Sequence, residues 1–525
     1  MNPIIDFFKA NKFYISFFMF GSGLAFFLTR NYVDSADLIQ YLSLAEQYQK
    51  LSWLDIANDF WSPLISWLII PLNYITGDFL ASFKILQWLL VNSGYWLIIF
   101  LFKNFSFSKK EKISIHFSIF MLLLSYGVSN GSPDLLYLNI LLMIIVLLKS
   151  KHQTSIKAIA IGILGGLLYL SKSFGLVFFI IFLLADFIFS KEKNLISFKR
   201  IFITVIFFFI VSCAWIIILT KKNHRFTYSG AAEYNFAIMN PNVNPSVFGE
   251  IKHPIDSIHF KAPPNKFSNS AWQEPNKFLL AEWSPAMNLK HYSKVIFKNL
   301  ISLVYSYFNF FVLLVVIFIL LVVQILATNN RKEKNKIKAI KNAFSTVLFN
   351  EPIFVIAAII TSSLYILVLT QKRYLWINEI CLLFLILCAI QNIKNRMKSI
   401  LLPLLCFLIL FSVTPDLINT LNSKLNTNWK NDSVVCAMKK DRYSDKIISD
   451  VGLGTDGYTL GCAIAFESKI QNFGVQKTSE LKHLNYTGYF ISEGNNTIKR
   501  NQFPLLEFMV YSVDLNCSLY KVKPL

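Results

Sequence analysis

An α-helical polytopic membrane protein, with large outer loops and a small mixed α/β outer domain at its C-terminus, is the fold class that three observations in the sequence predict. Hydrophobic residues make up 54% of the 525 residues and charged residues only 15%, against about 25% charged in an ordinary soluble domain, and the mean hydropathy is +0.49. Apolar runs of the length that crosses a hydrocarbon core of about 30 Å recur along the chain. The basic residues, which give a formal net charge of +21, gather in alternate short segments between those runs. In a soluble chain such a charge would point to nucleic acid. Here the positive-inside bias accounts for it, and no nucleic-acid partner is expected.

The apolar runs lie near residues 13–29, 85–102, 113–128, 135–148, 158–171, 175–189, 201–219, 301–327, 353–370, 375–391 and 399–414, about eleven spans by the length rule. With a cytoplasmic N-terminus, the inner segments hold Lys9 and Lys12, the cluster from Lys103 to Lys112, Lys149 to Lys157, Lys191 to Arg200, the run from Arg331 to Lys341, and Lys394 to Lys398. The short outer segments carry only Arg30, Lys50, Lys84, Lys172, Lys372 and Arg373, and this asymmetry fixes the orientation. The run WSPLISWLIIPLNYITG at 61–77 is read as a re-entrant or interfacial piece, because counting it as a span would invert every later loop. A transmembrane module over 1–414 follows, with outer loops at 31–84 and 220–300, and an extracytoplasmic domain over 415–525.

Cys213, Cys381, Cys388 and Cys406 fall in apolar runs and read as packing residues. Cys436, Cys462 and Cys517 fall in the expected outer domain, where a disulfide between two of them can persist, with the pairing left open. No Cys/His spacing of zinc type occurs.

The stretch NYVDSADLIQYLSLAEQY, residues 31–48, follows the first apolar run. Asp37, Tyr41 and Ala45 are four apart and share one helix face, while Leu38, Leu42 and Leu44 supply an apolar side expected to lie on the membrane. Any single acid here reads most plainly as solvated or as a helix cap. The loop as a whole, however, sets Asp34, Asp37, Glu46, Asp55 and Asp59 against a single Lys50 before the chain returns to the bilayer.

The order of a first membrane helix, then Asp37, Tyr41 and Ala45, then Trp61, Pro63, Leu64, Leu68 and Pro71 resembles the GT-C glycosyltransferases that use polyprenyl-phosphate sugars, the group of the protein O-mannosyltransferases and the lipid A aminoarabinose transferase. NGSPDLLYLNILL at 130–142 is similar to the family's second outer loop, where an acid, here Asp134, opens a helix. GGLLYLSKSFGLVFF at 165–179 resembles its tight turn tipped by a basic residue, here Lys172. QKRYLWINEICLLFLI at 371–386 resembles its late Arg-Tyr turn, without the proline that often follows. The resemblance spans roughly residues 13–400.

It implies a membrane-embedded inverting glycosyltransferase, with a polyprenyl-phosphate-linked sugar as donor and a glycan, lipid or protein hydroxyl as acceptor. Such chemistry needs one carboxylate to take the acceptor proton and positive groups to stabilise the departing lipid phosphate. The resemblance assigns the first role to Asp37, with Asp34 competing, and the second to Arg373, Lys172 and Arg30, with Tyr374 and Tyr41 also set against the substrate. For Arg30 and Lys172 the plain alternative is a charge that snorkels to the headgroups. Some members bind a divalent metal and others do not; Asp134 is the candidate ligand for Mg²⁺ or Mn²⁺.

The second outer loop reads as a lid or acceptor-facing wall, since a connector of that length is rarely idle, and His253, His259 and His291 read as surface histidines. In the C-terminal region Gly452, Gly454 and Gly457 form G-x-G-x-x-G after a plausible strand. They read as turn glycines, with no clear helix start behind them. Sequons at Asn431, Asn485 and Asn495 are unremarkable in an Asn-rich chain, whose Lys, Ile, Asn and Phe content points to an AT-rich bacterial genome and hence to the inner membrane. The alternatives are a transporter or lipid-linked sugar flippase, for which the sequence shows none of the usual internal repeats, and a non-catalytic assembly protein.

Overall fold

The computed structural model describes residues 12–103, 105–149, 154–189, 195–242, 259–275, 283–304, 352–391, 395–423, 425–426, 431–450, 454–477, 481, 486–493 and 506–523. The run 301–327 beyond residue 304, the basic run from Arg331 to Lys341, Lys9, His253, Gly452, Asn485 and Asn495 lie outside them.

Helices α1 (Lys12–Leu28), α2 (Ala36–Tyr48), α3 (Leu64–Thr76), α4 (Phe79–Phe102), α5 (Lys109–Ser129), α6 (Asp134–Leu148), α7 (Ser155–Ser171), α8 (Phe174–Phe189), α9 (Leu195–Asn223), α10 (Ala231–Ala237), α11 (Pro352–Leu367), α12 (Trp376–Gln391) and α13 (Asn395–Asn422) make up the helical part. Their starts follow local chemistry. Asp78 caps α4 by accepting from the Leu80 and Ala81 amides, and Ser108 and Glu111 close a capping box on α5, each satisfying amides that the first turn leaves unpaired. Among the described residues, four helices are long and apolar enough to cross a membrane: α4, α5, and the parts of α9 and α13 over Phe198–Asn223 and Lys398–Asn422. The others on which expected spans fall are shorter. α3, the expected interfacial piece, has 13 residues, about 20 Å of helix and well short of the hydrocarbon core.

Lipid tails are as apolar as leucine, so helices in a membrane associate through close approach of small residues and through polar contacts. Both occur here. Gly162 and Gly166 of α7 lie against α9 so closely that a Cβ on Gly162 would sit 2.4 Å from the Thr204 carbonyl oxygen and one on Gly166 2.5 Å from Val211 Cβ, and Thr204 Oγ1 donates to the Ala158 carbonyl at 3.1 Å. Asn139 of α6 donates to the Leu90 carbonyl of α4 and accepts from Ser93. The far face of α9 presents Phe198, Phe202, Phe209, Ile210 and Ile217 outward, as a lipid-facing side should.

The expected setting of α2 is overturned. Leu38, Leu42 and Leu44 do not rest on the membrane: they are 0%, 0% and 1% exposed, because α2 is enclosed by α3 and α4 on one side and by the C-terminal domain on the other. An apolar helix face announces burial without saying what buries it.

The C-terminal domain contains α14 (Ser433–Asp441), α15 (Gly454–Ser468) and a six-stranded sheet of order β1-β3-β2-β4-β6-β5. Strands β2 (Lys446–Asp450), β3 (Gln471–Gln476) and β4 (Gly488–Glu493) run parallel, and β5 (Leu506–Ser512) and β6 (Cys517–Val522) are antiparallel neighbours at one edge. The other edge strand, β1 (His259–Phe260), comes from the segment expected as the second outer loop and pairs antiparallel with β3. Gly454 and Gly457 are not turn glycines: they lie in the first turn of α15, the crossover between the parallel strands β2 and β3. The expected disulfide is not formed: no S–S bond joins any two of Cys436, which is exposed, and Cys462 and Cys517, which are buried.

The close packing of α7 on α9 makes a direct prediction. Gly162→Ala should destabilise the protein by about 1–3 kcal/mol, the usual cost of overpacking, and lower the thermal midpoint in detergent. Gly21→Ala in α1, where a Cβ would meet nothing within 4 Å, should leave that midpoint unchanged.

Candidate active site

A cavity of about 530 Å³ opens where α2, the starts of α6 and α8, the end of α11 with the turn that leads into α12, and the residues around Phe236 and Trp272 meet. Each charged side chain reaches it from the end of an element. Asp37 sits in the first turn of α2 and Asp134 is the first residue of α6, where the helix dipole favours negative charge. Lys172 tips the turn between α7 and α8. That turn is tight because Gly175 approaches the Leu168 carbonyl so closely that a Cβ would lie 2.5 Å from its oxygen. Arg373 and Tyr374 lie on the 3₁₀ turn Lys372–Leu375 that leads into α12.

The four charges form one network. Arg373 Nη2 donates to Asp37 Oδ2 at 3.0 Å, and its Nε lies 3.9 Å from Asp134 Oδ2 while donating to Gln371 Oε1 at 3.0 Å. Lys172 Nζ donates to Asp134 Oδ1 at 2.7 Å, and Ser132 Oγ donates to Asp134 Oδ2 at 2.5 Å. The other oxygen of Asp37 accepts from the Trp272 indole at 3.0 Å. Aromatic rings complete the wall: Lys172 Nζ stands 3.5 Å over the Tyr374 ring, Tyr374 stacks on Tyr365 at 4.6 Å, and Tyr365 stacks on Phe174 at 4.1 Å. Across the cavity Tyr41 meets Trp61 edge-on at 5.1 Å.

Burial shapes the titration of these groups. It pushes the Lys172 ammonium down to about 8, with Asp134 pulling the other way. Burial also works against the Arg373 charge, but Tyr374, Asp37 and Asp134 outweigh it and hold the guanidinium above its ordinary value, so it stays charged.

The structure thus brings together Asp37, Tyr41, Asp134, Lys172, Arg373 and Tyr374, and leaves two candidates apart. Asp34 does not line the cavity. It lies behind α2, its Oδ1 buried with no hydrogen-bond partner, in a niche that only a glycine at 131 leaves open: a Cβ there would be 2.3 Å from Asp34 Oδ1 and 2.7 Å from Leu38 Cβ. Burial raises its carboxyl above the ordinary value, against the pull of the Gly131 amide, Arg373 and Lys84. Arg30 is exposed, donates to the Phe27 carbonyl at 3.0 Å and covers the Phe27 ring, the geometry of a snorkelling boundary charge. Trp272, Ser132, Gln371 and Tyr365 went unmarked in the sequence. None carries a charge or a spacing that singles it out.

Magnesium and manganese ask for about six oxygen ligands with room for water. The Asp134 carboxylate already receives Lys172 and Ser132, the Asp37 carboxylate receives Arg373 and Trp272, and among the described residues no three His, Cys, Asp or Glu side chains converge. This donor set does not fit a divalent ion, because two protein cations occupy the positions that an ion between the carboxylates would take.

A second cavity, about 280 Å³, lies on the other side of Arg373 and is lined by Tyr126, Ser129, Trp376, Glu379 and Asp416 among others. In it Tyr126 stacks on Trp376 at 4.2 Å and donates to Glu379, and Lys372 bridges to Asp416 at 3.0 Å.

No protein-family model and no curated protein matches the sequence. The fold does match. The chain is similar to the crystal structure of ArnT from Cupriavidus metallidurans in the apo state, at a TM-score of 0.54 and 8% identity over 98% of each chain. It is similar likewise to the ArnT structure from Cupriavidus metallidurans bound to undecaprenyl phosphate, at 0.56 and 9% identity over 97% of this chain and 98% of that one. This is a likeness of whole-chain architecture, in line with the fold that the ordered motifs suggested.

The niche at Gly131 makes a prediction of its own. Gly131→Ala must displace Asp34 or Leu38, and Leu38 is next to Asp37 on α2. The variant should accumulate less well or melt lower, by about 1–3 kcal/mol, while Asp34→Asn, which keeps the shape, should change the melting temperature far less; thermal melts of the two purified variants decide it.

Proposed function

We propose that the protein is an inverting glycosyltransferase that moves a sugar from a polyprenyl-phosphate carrier to an acceptor hydroxyl at the outer face of the cytoplasmic membrane, with its N-terminus inside and its C-terminal domain outside. One observation carries the reading: a carboxylate and two cations share a single 530 Å³ cavity in a fold whose solved counterpart is bound to undecaprenyl phosphate. A one-step displacement needs a single base and an anchored leaving group. Asp37 would take the acceptor proton, and Arg373 and Lys172 would hold the phosphate as it departs, a charge-assisted pairing for which the arginine fork is suited.

The ion pair itself supplies the order of events. Before donor binds, Arg373 masks Asp37 Oδ2 at 3.0 Å. The donor's phosphodiester, which bears one negative charge as a carboxylate does and offers the fork two oxygens, competes for that guanidinium, and as Arg373 turns to it, Asp37 Oδ2 is released for the acceptor hydroxyl. The base is thus exposed only when there is a donor to attack. Asp134, tied to Lys172 at 2.7 Å, would keep the lysine in place, and Tyr374 and Tyr365 would pack against the sugar or the first prenyl unit. No step is routed through a metal ion.

Mass spectrometry of glycans and lipids from cells carrying the intact chain, Asp37→Asn or Asp34→Asn at matched membrane levels tests this. A sugar mass increment on an acceptor should fall about 10²-fold or more with Asp37→Asn, the scale of a lost general base, and persist with Asp34→Asn. Full product with Asp37→Asn would remove the proposed base. If neither variant changes a glycan while deletion of the whole chain leaves a lipid-linked sugar undelivered, the protein is a transporter.

A pH prediction follows from Lys172, whose ammonium is pushed down to about 8. Its charge is present below that pH and lost above it, so undecaprenyl phosphate should bind the purified protein with full affinity at pH 7 and progressively less as pH rises through 8 to 9. Lys172→Met should bind more weakly at pH 7 and lose the change across this window.

A further inference from the structure

The acid at the centre of the site is held from a direction that the reaction scheme does not use. Residues 259–275 form a strap that runs from the C-terminal sheet to the wall of the cavity. At one end it belongs to that sheet: β1 pairs with β3 through His259 and Val475, Phe260 and Gly474, and the Lys261 amide donates to the Phe473 carbonyl at 3.0 Å. Further along, Gln471 Nε2 donates to the carbonyls of Asn265 at 2.7 Å and Ser268 at 2.9 Å, the Asn472 amide donates to the Asn269 carbonyl at 2.8 Å, and Asn269 Nδ2 donates to the Cys462 carbonyl of α15 at 3.0 Å.

The opposite side of the same strap grips the membrane-proximal helices. Gln40 of α2 donates to Ser270 Oγ at 3.0 Å, Ser43 of α2 donates to Gln273 Oε1 at 3.3 Å, and Asn58 Nδ2 donates to the Gln273 carbonyl at 2.6 Å. The Trp61 indole donates to the Trp272 carbonyl at 3.1 Å, and Glu274 pairs with Lys222 at the end of α9 at 3.3 Å. Between these anchors Trp272 turns its own indole N–H to Asp37 Oδ1 at 3.0 Å. Its ring is fixed edge-on by Phe60 at 5.7 Å and Tyr234 at 5.5 Å.

Ser268, Asn269, Ser270, Ala271, Trp272 and Gln273 are all at most 5% exposed. A buried polar run cannot shift one member without leaving another donor or acceptor unpaired, which makes such a network stiff as a unit. Indole is a donor only, so Trp272 can serve Asp37 solely in its ionised, proton-accepting form or through a lone pair of its neutral form. With Arg373 on Oδ2, the indole is the contact that persists when Arg373 turns to the phosphate.

We infer that the C-terminal domain is a working part of the transferase site: through the strap it seats Trp272 as the positioning residue that aims Asp37, so that turnover depends on how residues 265–273 sit on β3 and α15. The inference rests on Asp37 being the base. It assigns a role to a domain that neither cavity includes, and it makes turnover separable from donor binding, because Arg373 and Lys172 lie on other elements.

The test pairs two readouts on the full chain: the acceptor mass increment in cells at matched membrane levels, and undecaprenyl phosphate binding by the purified protein. Trp272→Phe keeps the ring and loses the donor. Asn269→Leu, which removes the donor to the Cys462 carbonyl, and the milder Gln471→Ala, which removes the donor to the Asn265 and Ser268 carbonyls, act on the side of the strap that faces the C-terminal domain. All three should lower the increment, Trp272→Phe by about tenfold or more and Gln471→Ala by several-fold, with binding within twofold of the intact chain; Trp272→His, which restores an N–H, should recover part of the loss. If Asp37→Asn abolishes product while Trp272→Phe or both far-side variants retain it in full, the strap is only structural and the inference falls. Loss of binding together with product would equally overturn it, as that is what general misfolding gives. Full product from Asp37→Asn instead sinks the assignment of the base, a result distinct from either.

Discussion

The guanidinium of Arg373 stands between two carboxylates, 3.0 Å from Asp37 and 3.9 Å from Asp134, and the rest of the site is arranged around the difficulty of keeping it there. Removing one partner from a buried charged cluster leaves the other uncompensated, which is far more costly than the cluster's net contribution to stability. Here the charges balance in number: Asp37 and Asp134 against Arg373 and Lys172. The residues come from four separate places in the chain, with 336 positions between Asp37 and Arg373, so each supporting element has to be held to within hydrogen-bond tolerance. The glycine contacts of α7 with α9 and of Gly175 with Leu168 are two of the devices that do so.

That balance also explains why the site does not need to be rigid at its centre. A cation shared between two acids is already partly satisfied by each, and were it to turn to a third anion, Asp37 would keep the Trp272 indole and Asp134 would keep Lys172. Arg373 is moreover a wall of both cavities, so its side chain has space on either side. Lys172 has less freedom, clasped by Asp134 and lying over the Tyr374 ring, and under the proposed scheme it would stay with the phosphate throughout.

What could be read from the sequence follows the same division between local and long-range causes. The membrane class came from composition, and the helix carrying Asp37 from four-residue spacing. Asp134, Lys172 and Arg373 stood out because a charge at the end of an apolar run is conspicuous. The choice between Asp34 and Asp37 was beyond local reasoning, since only three positions separate a group in the cavity from one sealed against Gly131, and Gly131 lies in another loop. The surroundings of α2 were misread for a related reason: Leu38, Leu42 and Leu44 carry the pattern of a surface helix, and only the fold shows that protein rather than lipid covers them. Similarly, Gly454 and Gly457 look like turn residues until β2 and β3 are seen to be parallel and to need a crossover helix.

Trp272 is the sharpest case, because nothing in its neighbourhood marks it. It lies 235 positions from Asp37, in a loop of asparagines, serines and prolines whose composition suggests only exposure. The polar residues of that loop from Ser268 to Gln273 are instead buried, with hydrogen bonds to both sides: Asn269 to the C-terminal domain, Ser270 and Gln273 to α2 and its neighbours. Most of the loop's buried polar groups find a partner on one face or the other, and meeting that demand on both faces at once narrows the geometry. A polar sequence between two domains can therefore be the most constrained part of a protein, and here it is the part that reaches the acid.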